Sequence, residues 1–204
     1  MSIIYITLAV EDSLSEAVAR KLLHQSDKNY YVTNCLGGKG FGYLKTKINA
    51  FNKASRTLPF FVLTDQDIGC PPEKIKTWLN CKPHPNLIFR IAVMEIESWV
   101  LADRQAIAKF LSVSASNFPY KTDELSDPKQ FLLAKAKKSR KRSLKEDIVP
   151  KTGSTAKIGP NYNARLSDFI RNNWSVHRAI KCSESLSRAF NKLQKFNHHL
   201  IVNE

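Results

Sequence analysis

The sequence predicts an α/β protein with a mostly parallel four-stranded sheet flanked by helices on both faces. Four apolar runs of strand length alternate with segments whose apolar residues recur at helical spacing; the runs cover residues 3–10, 30–36, 58–64 and 87–94. The third run is continuously apolar, which is typical of a strand buried on both faces. Because alternating strands and helices form parallel sheets in most proteins that show this order, we expect the four strands to run in one direction.

The helices of the first half follow the strands one by one. Apolar spacing and start signals predict them at residues 12–23, 43–54, 73–79 and 97–111. The glycine-rich loop 37–42 precedes the second helix, and Pro71-Pro72 opens the third, where proline is tolerated in the first turn. Each strand is thus followed by a loop or a helix start at the same predicted edge of the sheet.

The second half of the chain has a different character. Residues 112–127 are polar and rich in turn formers, and 150–163 form a loop with glycine and proline. Helices are predicted at 128–138, 164–173 and 183–196. We therefore divide the chain into a sheet domain, residues 1–111, and a basic helical appendage packed on it, residues 112–204.

Charge is distributed unevenly along the 204 residues, whose net charge is +14. Residues 1–104 contain 13 Lys and Arg against 10 Asp and Glu, whereas residues 105–204 contain 19 against 8. Such a basic half suits a polyanion whose phosphates are bound by Lys and Arg, and it argues against a small substrate. The alternative is that the charge serves solubility alone.

Acidic clusters follow three of the predicted strands. They are Glu11-Asp12 with Glu16, then Asp65-Gln66-Asp67, then Glu95-Ile96-Glu97. Parallel strands end at one edge of the sheet, and carboxylate oxygens are the ligands that Mg²⁺ and Mn²⁺ prefer. Two such ions could act on a phosphodiester together. The predicted metal ligands are Glu11, Glu16, Asp65, Asp67, Glu95 and Glu97.

A structural role for these acids is the alternative. Carboxylates after strands often cap helices or lie in the first turn, where they favour the helix dipole. For Asp12 and Glu16 this alternative is at least as strong as metal binding. It is weaker for Asp65 and Asp67, because the next predicted helix begins only after the two prolines.

Basic residues are the candidates for nucleic-acid binding and for charge neutralisation. Residues 135–145 contain seven basic residues and no acidic one, which favours contact with a phosphate backbone over a merely solvated face. The predicted nucleic-acid-binding residues are Lys39, Lys135, Lys137, Lys138, Arg140, Lys141, Arg142, Lys145 and Lys151. Lys157, or Lys151, is the candidate for stabilising charge on a transferring phosphoryl group. Around Lys39 the glycines either cradle a phosphate or simply permit a tight turn.

Several classes of protein are not favoured. No apolar stretch reaches the length of a membrane span, and the first residues lack a basic leader, so we expect a cytoplasmic protein. The four cysteines form no CxxC pair and the histidines no HExxH motif, so zinc is not expected.

The order of a glutamate after the first strand, a DxD after a later strand and further acids beyond the next resembles the Toprim fold of topoisomerases, primases and OLD-type nucleases. Glu11 corresponds to the motif glutamate, and Asp65 and Asp67 to the DxD. The pair Glu95 and Glu97, within ESWVLAD, resembles the OLD-like branch. The segments GPNYN and SESLSRAFNKL are similar to a bacterial Toprim-like family of unassigned function. Asp12 stands where Toprim proteins often have glycine, so Glu11, Asp12 and Glu16 all remain candidate ligands.

This resemblance implies a Mg²⁺- or Mn²⁺-dependent nuclease acting on DNA or RNA, with two ions, in phage defence beside a separately encoded ATPase. A homodimer is a further option. The chain has no GxxxxGK[ST] motif, so ATP hydrolysis would come from the partner. The alternatives are a catalytically inactive Toprim-like adaptor that binds nucleic acid and an ATPase, and phosphoryl transfer to a small molecule or primer-like polymerisation.

Overall fold

The computed structural model describes residues 2–38, 40–66 and 71–198, except for the side chain of Phe41. It contains one four-stranded sheet in the order β2-β1-β3-β4. The strands are β1 (Ile4–Val10), β2 (Tyr30–Gly37), β3 (Phe60–Asp65) and β4 (Leu87–Ala92). All three neighbouring pairs are parallel. The predicted α/β class with a parallel sheet flanked by helices is therefore confirmed, and it is consistent with a Toprim-like fold.

Ten α-helices are found in the described part of the chain. They are α1 (Ser13–His24), α2 (Phe41–Ala54), α3 (Pro71–Trp78), α4 (Ile96–Ala102), α5 (Arg104–Leu111), α6 (Pro128–Lys137), α7 (Arg142–Ile148), α8 (Tyr162–Asn172), α9 (Val176–Ala179) and α10 (Glu184–Gln194). None of them is long and apolar enough to cross a lipid bilayer.

Two features of the helices differ from the sequence expectation. The helix predicted at 97–111 is two helices, because Asp103 has the non-helical angles φ −82° and ψ 70° and caps α5 instead. Helices α7 and α9 were not predicted. The first begins within the basic run 135–145, which has too few apolar residues to show a helical period, and the second has only four residues.

The register of the sheet brings the ends of β1, β3 and β4 together. Val10 is paired with Leu63, and Asp65 with Ala92. The next residue, Gln66, extends the ladder by donating its N–H to the carbonyl of Ala92 at 2.9 Å. The residues that follow these three strands therefore emerge side by side at the carboxyl edge, where parallel sheets hold their sites.

Each face of the sheet is covered by its own apolar layer. Ala9, Val62 and Phe89 pack with residues of α2 and α3, such as Ile48 and Trp78. The opposite face packs against α1, α4 and the helices of the second half; its buried members include Leu8, Leu63, Trp99, Leu166 and Phe190. The second half thus shares a continuous core with the strands. The division into two domains at residue 111 stays a prediction.

Gly37 allows β2 to end against β1. A Cβ atom at this position would lie 2.1 Å from the carbonyl oxygen of Val10, which no side chain can accommodate. Beyond it, the N–H of Gly40 donates to the carbonyl of Glu11 at 3.2 Å. The glycine-rich loop is therefore tied to the end of β1, as a tight turn would be.

Asp103 joins α4, α5 and α9, and we expect its loss to destabilise the fold. Its side chain is 1% exposed and accepts from Arg178 at 2.7 Å and from the Ser175 N–H at 2.8 Å. Because Asp103→Ala removes a buried partner of a charged pair and a helix cap, it should lower the free energy of unfolding by about 2–4 kcal/mol. Urea unfolding measures the loss. Asp168→Ala, which removes an exposed partner of Arg171, is the control and should cost less than about 1 kcal/mol; equal losses would contradict the assignment.

Candidate functional site

Glu11 follows β1 directly and is fastened to the end of β3. Its Oε1 accepts the backbone N–H of Asp65 at 3.0 Å and a hydrogen bond from the hydroxyl of Thr64. These two donors fix the carboxylate over the neighbouring strand. Glu11 and Asp65, predicted as ligands from separate strands, are therefore brought together.

Asp65 ends β3 in an environment that opposes its charge. Burial raises the pKa of its carboxyl well above the ordinary aspartate range, and the charges of Glu11, Glu97 and Asp12 raise it further, against a smaller opposing effect of Lys129. The backbone on its other side is held by Lys74 of α3, whose ammonium donates to the carbonyls of Asp65 and, at 2.9 Å, of Gln66. Asp65 is thus a firmly positioned acid among other acids.

Glu95 and Glu97 lie where the chain turns from β4 into α4. Met94 adopts a positive φ of 63° just before them, which is uncommon for a residue other than glycine. Glu95 occupies the N-cap position of α4, and Glu97 lies in its first turn, 2% exposed. Glu95 and Glu97 therefore do not project from an extended strand end, because β4 ends at Ala92 and the helix begins at Ile96.

Lys129 is the cation that faces this pair. Its ammonium lies 3.2 Å from Glu95 Oε1 and 3.5 Å from Glu97 Oε1. Its backbone N–H also donates to Glu95 Oε2 at 3.0 Å. Burial disfavours the charged ammonium, but Glu97 and Glu95 outweigh that effect, so the pKa of Lys129 is raised and the group stays charged.

Glu97 also contacts the second half of the chain through Tyr162. The Tyr162 hydroxyl donates to Glu97 Oε1 at 2.9 Å, within the core. Burial and the charge of Glu97 raise the pKa of this hydroxyl, so it remains a neutral donor. The pKa of Glu97 itself is raised, mainly by burial. Its second oxygen, Oε2, is buried and has no hydrogen-bond partner in the described structure.

This unsatisfied carboxylate oxygen fits a cation. A buried carboxylate oxygen without a partner is costly, and two acids with raised pKa values share the edge with Glu11. Within residues 2–38, 40–66 and 71–198, no three Asp, Glu, His or Cys side chains form a ready-made metal site. Asp67, the second acid of the DxD, lies outside the described residues. The donor chemistry is therefore suitable for a hard divalent ion, while the complete ligand set stays a prediction.

Asp12 and Glu16 have the structural roles that the sequence left open. Asp12 is the N-cap of α1 and accepts the Ser15 N–H at 2.8 Å. Glu16 pairs with Arg20 at 2.7 Å on the first turns of the same helix. In the described structure Glu16 makes no contact with Asp65 or Glu97, so nothing there supports its predicted role as a metal ligand.

The predicted basic residues occupy several different positions. Lys137, Lys145 and Lys151 line one cavity of about 630 Å³ beside α7. Lys141 donates to the carbonyl of Phe110, Arg142 pairs with Glu146, and the ammonium of Lys135 lies over the ring of Phe131. The exposed remainder, without a described contact, comprises Lys138, Arg140 and Lys157. Lys39 lies outside the described residues.

Three side chains of the site were missed by sequence reasoning: Lys129, Tyr162 and Lys74. Lys129 follows Asp127-Pro128, a helix-start signal that places its N–H at a helix N-terminus, but nothing local indicates that this helix docks on Glu95. Tyr162 stands in the GPNYN segment. The lysine expected beside the acids is Lys157 or Lys151, whereas the described lysine whose side chain pairs with Glu95 and Glu97 is Lys129.

No protein-family model, curated protein or solved structure significantly matches this chain. The resemblance to Toprim and OLD-like nucleases therefore stays a hypothesis that depends on the residues and on the fold.

Because the pKa of Asp65 is raised, we expect replacement of this residue to change the stability of the fold by an amount that depends on pH. The folded state binds the Asp65 proton more tightly than the unfolded chain does, so this group favours folding at acid pH. That contribution to stability is lost as the pH rises above about 3.9, the ordinary pKa of aspartate. Without divalent ions, Asp65→Asn should therefore be more stable than wild type, and the difference should grow from pH 4.5 to pH 8.

Thermal melting in a chelating buffer measures this difference. Glu184→Gln removes an exposed carboxylate and gives the baseline for losing one negative charge from a basic protein. An Asp65→Asn protein that is less stable than wild type at pH 8 would contradict an unfavourable charge at this position.

Proposed function

We propose that the protein is a Mg²⁺- or Mn²⁺-dependent nuclease that hydrolyses phosphodiester bonds of DNA or RNA. The observation that carries the proposal is the convergence of Glu11, Asp65 and Glu97 from three chain segments at the carboxyl edge of a parallel sheet, with one buried glutamate oxygen that has no partner among the described residues. Such a site offers hard oxygen ligands from separate elements, which is what a divalent ion on a phosphodiester requires.

The side chains have separate tasks in this proposal. Glu11, Asp65 and Glu97 would hold the metal, with Asp67 as a further predicted ligand. The ion, when bound, supplies activation of a water molecule and stabilisation of the leaving oxygen. Thr64 and the Asp65 N–H orient Glu11, and Tyr162 orients Glu97. Lys74 fixes the backbone of Asp65 through its carbonyl.

We assign the positive charge near the site to Lys129, because its contacts with the acids are described, whereas none is described for Lys157. The ammonium of Lys129 contacts Glu95 and Glu97, and its side chain remains 32% exposed. It is thus accessible to a substrate while it is fixed by the acids. From the sequence, neutralisation of developing phosphoryl charge is assigned to Lys157 or Lys151. The position of Lys129 beside the acids supports this role better for Lys129.

A path for the nucleic-acid backbone follows α6. Lys137 lies eight positions after Lys129 on this helix, which corresponds to about 12 Å along its axis. There it joins Lys145 and Lys151 at the basic cavity. Because one strand of a duplex carries a phosphate about every 3.4 Å of axis, a backbone bound in this cavity would reach the acidic edge within a few nucleotides.

The cellular setting extends the same proposal. The sequence has no GxxxxGK[ST] motif, and the resemblance to OLD-like nucleases points to a separately encoded ATPase, to phage defence and to the cytoplasm. The +11 balance of residues 105–204 supports a polyanionic substrate over a small molecule.

A catalytically inactive adaptor is the second candidate, and one observation favours it. Lys129 neutralises Glu95 and Glu97 without any metal, as in a structural ion-pair network. Such a protein would bind nucleic acid and an ATPase partner but would have no need of divalent ions.

Nuclease assays with matched variants test the proposed activity. Wild-type protein is incubated with plasmid, linear DNA and tRNA, with Mg²⁺ or Mn²⁺, in parallel with Asp65→Asn, Glu97→Gln and the exposed-site control Glu184→Gln. We expect cleavage by wild type and the control, and a loss of at least about 100-fold, or 2.7 kcal/mol, in Asp65→Asn and Glu97→Gln, because each loses a charged ligand. Equal cleavage by all four proteins would show that the activity does not come from this site.

Removal of the three cavity lysines tests the nucleic-acid interface. The triple change Lys137→Gln, Lys145→Gln and Lys151→Gln should weaken binding and reduce the slope of log K against log salt by about 2 to 3, because each phosphate contact contributes about 0.7 to 0.9. The matched control replaces Lys53, Lys76 and Lys82, exposed lysines around α2 and α3. Fluorescence anisotropy over a salt series measures both slopes, and equal slopes would place the interface elsewhere.

A further inference from the structure

We propose that the ammonium of Lys129 stands in place of a second metal ion, so that the protein binds one divalent cation, not two. This inference depends on the proposed function, since it concerns the same carboxylates. It also corrects the expectation, drawn from the OLD-like resemblance, that Glu95 and Glu97 hold an ion of their own.

The oxygen atoms of Glu95 and Glu97 are almost fully engaged within the protein. Glu95 Oε1 accepts from the Lys129 ammonium at 3.2 Å, and Glu95 Oε2 accepts from the Lys129 N–H at 3.0 Å. Glu97 Oε1 accepts from Tyr162 at 2.9 Å and lies 3.5 Å from the Lys129 ammonium. Only Glu97 Oε2, of these four atoms, has no hydrogen-bond partner among the described residues.

Lys129 is held in place at both ends. Its backbone lies in the first turn of α6, where Asp127 caps the helix by accepting the Gln130 N–H at 2.8 Å and Pro128 is the first residue. Its side chain reaches back to the acids of α4. A metal ion between Glu95 and Glu97 would have to displace the ammonium and leave the Lys129 N–H without its acceptor, which costs more than binding at an open oxygen.

Glu97 Oε2 is thus the oxygen that a cation could take without displacing Lys129. Asp65 and Glu11 belong to the same edge of the sheet, since the Asp65 N–H donates to Glu11 Oε1 at 3.0 Å and the charges of Glu11 and Glu97 both act on the Asp65 carboxyl. In the inference, Glu97, Asp65 and Glu11 would hold the one hard cation, which needs few protein ligands because Mg²⁺ keeps several waters. Glu95 contributes to this arrangement only by positioning Lys129.

Metal stoichiometry tests the inference without any assay of activity. Mn²⁺ binding to the purified protein is counted by isothermal titration calorimetry and by the loss of the free-ion electron paramagnetic resonance signal. The variants are Glu95→Gln, Glu97→Gln, Lys129→Arg and Lys129→Met, with Lys192→Gln, an exposed lysine of α10, as the charge control.

We expect one ion in wild type, Lys129→Arg and Lys192→Gln. Glu95→Gln should keep that ion with affinity within about threefold, whereas Glu97→Gln should bind it at least about tenfold more weakly. Lys129→Met should bind a second ion, since it frees the oxygen atoms of both glutamates. If Lys129→Met does not fold, the comparison of Glu95→Gln with Glu97→Gln decides whether Glu95 holds an ion.

Two other results would overturn the inference, and they differ in what they say of the nuclease. Two ions in wild type, with one lost in Glu95→Gln, would exclude the role of Lys129 and leave the proposed nuclease intact. No ion in wild type or any variant would exclude both the inference and the metal-dependent activity.

Discussion

The ion pair between Lys129 and the two glutamates of α4 is the interaction on which the organisation of this protein depends. It joins residues 34 positions apart in sequence, and it fastens the second half of the chain to the edge where β1, β3 and β4 end. Because Glu97 is 2% exposed, loss of the Lys129 ammonium would leave a buried carboxylate without its cation, which destabilises a fold. The fold of α6 and the electrostatics of the acidic edge therefore cannot be separated.

Cavity volume and unsatisfied buried carboxylate oxygens point to different parts of the described structure. A larger cavity, about 740 Å³, lies between α1 and α8 and is lined by Arg20, Lys21 and Arg171. Those cations are already satisfied, by Glu16, by the carbonyl of Arg171 and by Asp168. At the sheet edge, in contrast, Glu97 keeps a buried oxygen, Oε2, without a partner among the described residues. A buried carboxylate with a raised pKa and an unsatisfied oxygen marks a candidate functional site better than volume does.

What the sequence predicts well are features with a local cause. The continuous apolar run before Asp65 gives a buried strand, and parallel strands bring Glu11, Asp65 and Glu97 to one edge. What it misses depends on distant contacts. The helical pattern runs through Asp103, yet Arg178 and Ser175 hold that residue out of the helix. Lys129 looks like any lysine in a first turn, because its acceptors come from another part of the chain.

The contacts that the sequence did not predict show that the basic second half of the chain also helps to build the acidic edge of the sheet. Lys129 and Tyr162 both come from it, and both donate to the acids of α4. In the proposed nuclease its positive charge would act at two distances: Lys129 pairs at the edge with carboxylates that would otherwise repel a phosphate, and Lys137, about 12 Å further along α6, lines the cavity that would bind the phosphate backbone. A polyanion could approach an acidic site only where such compensation exists, and α6 contributes a lysine to each of the two places.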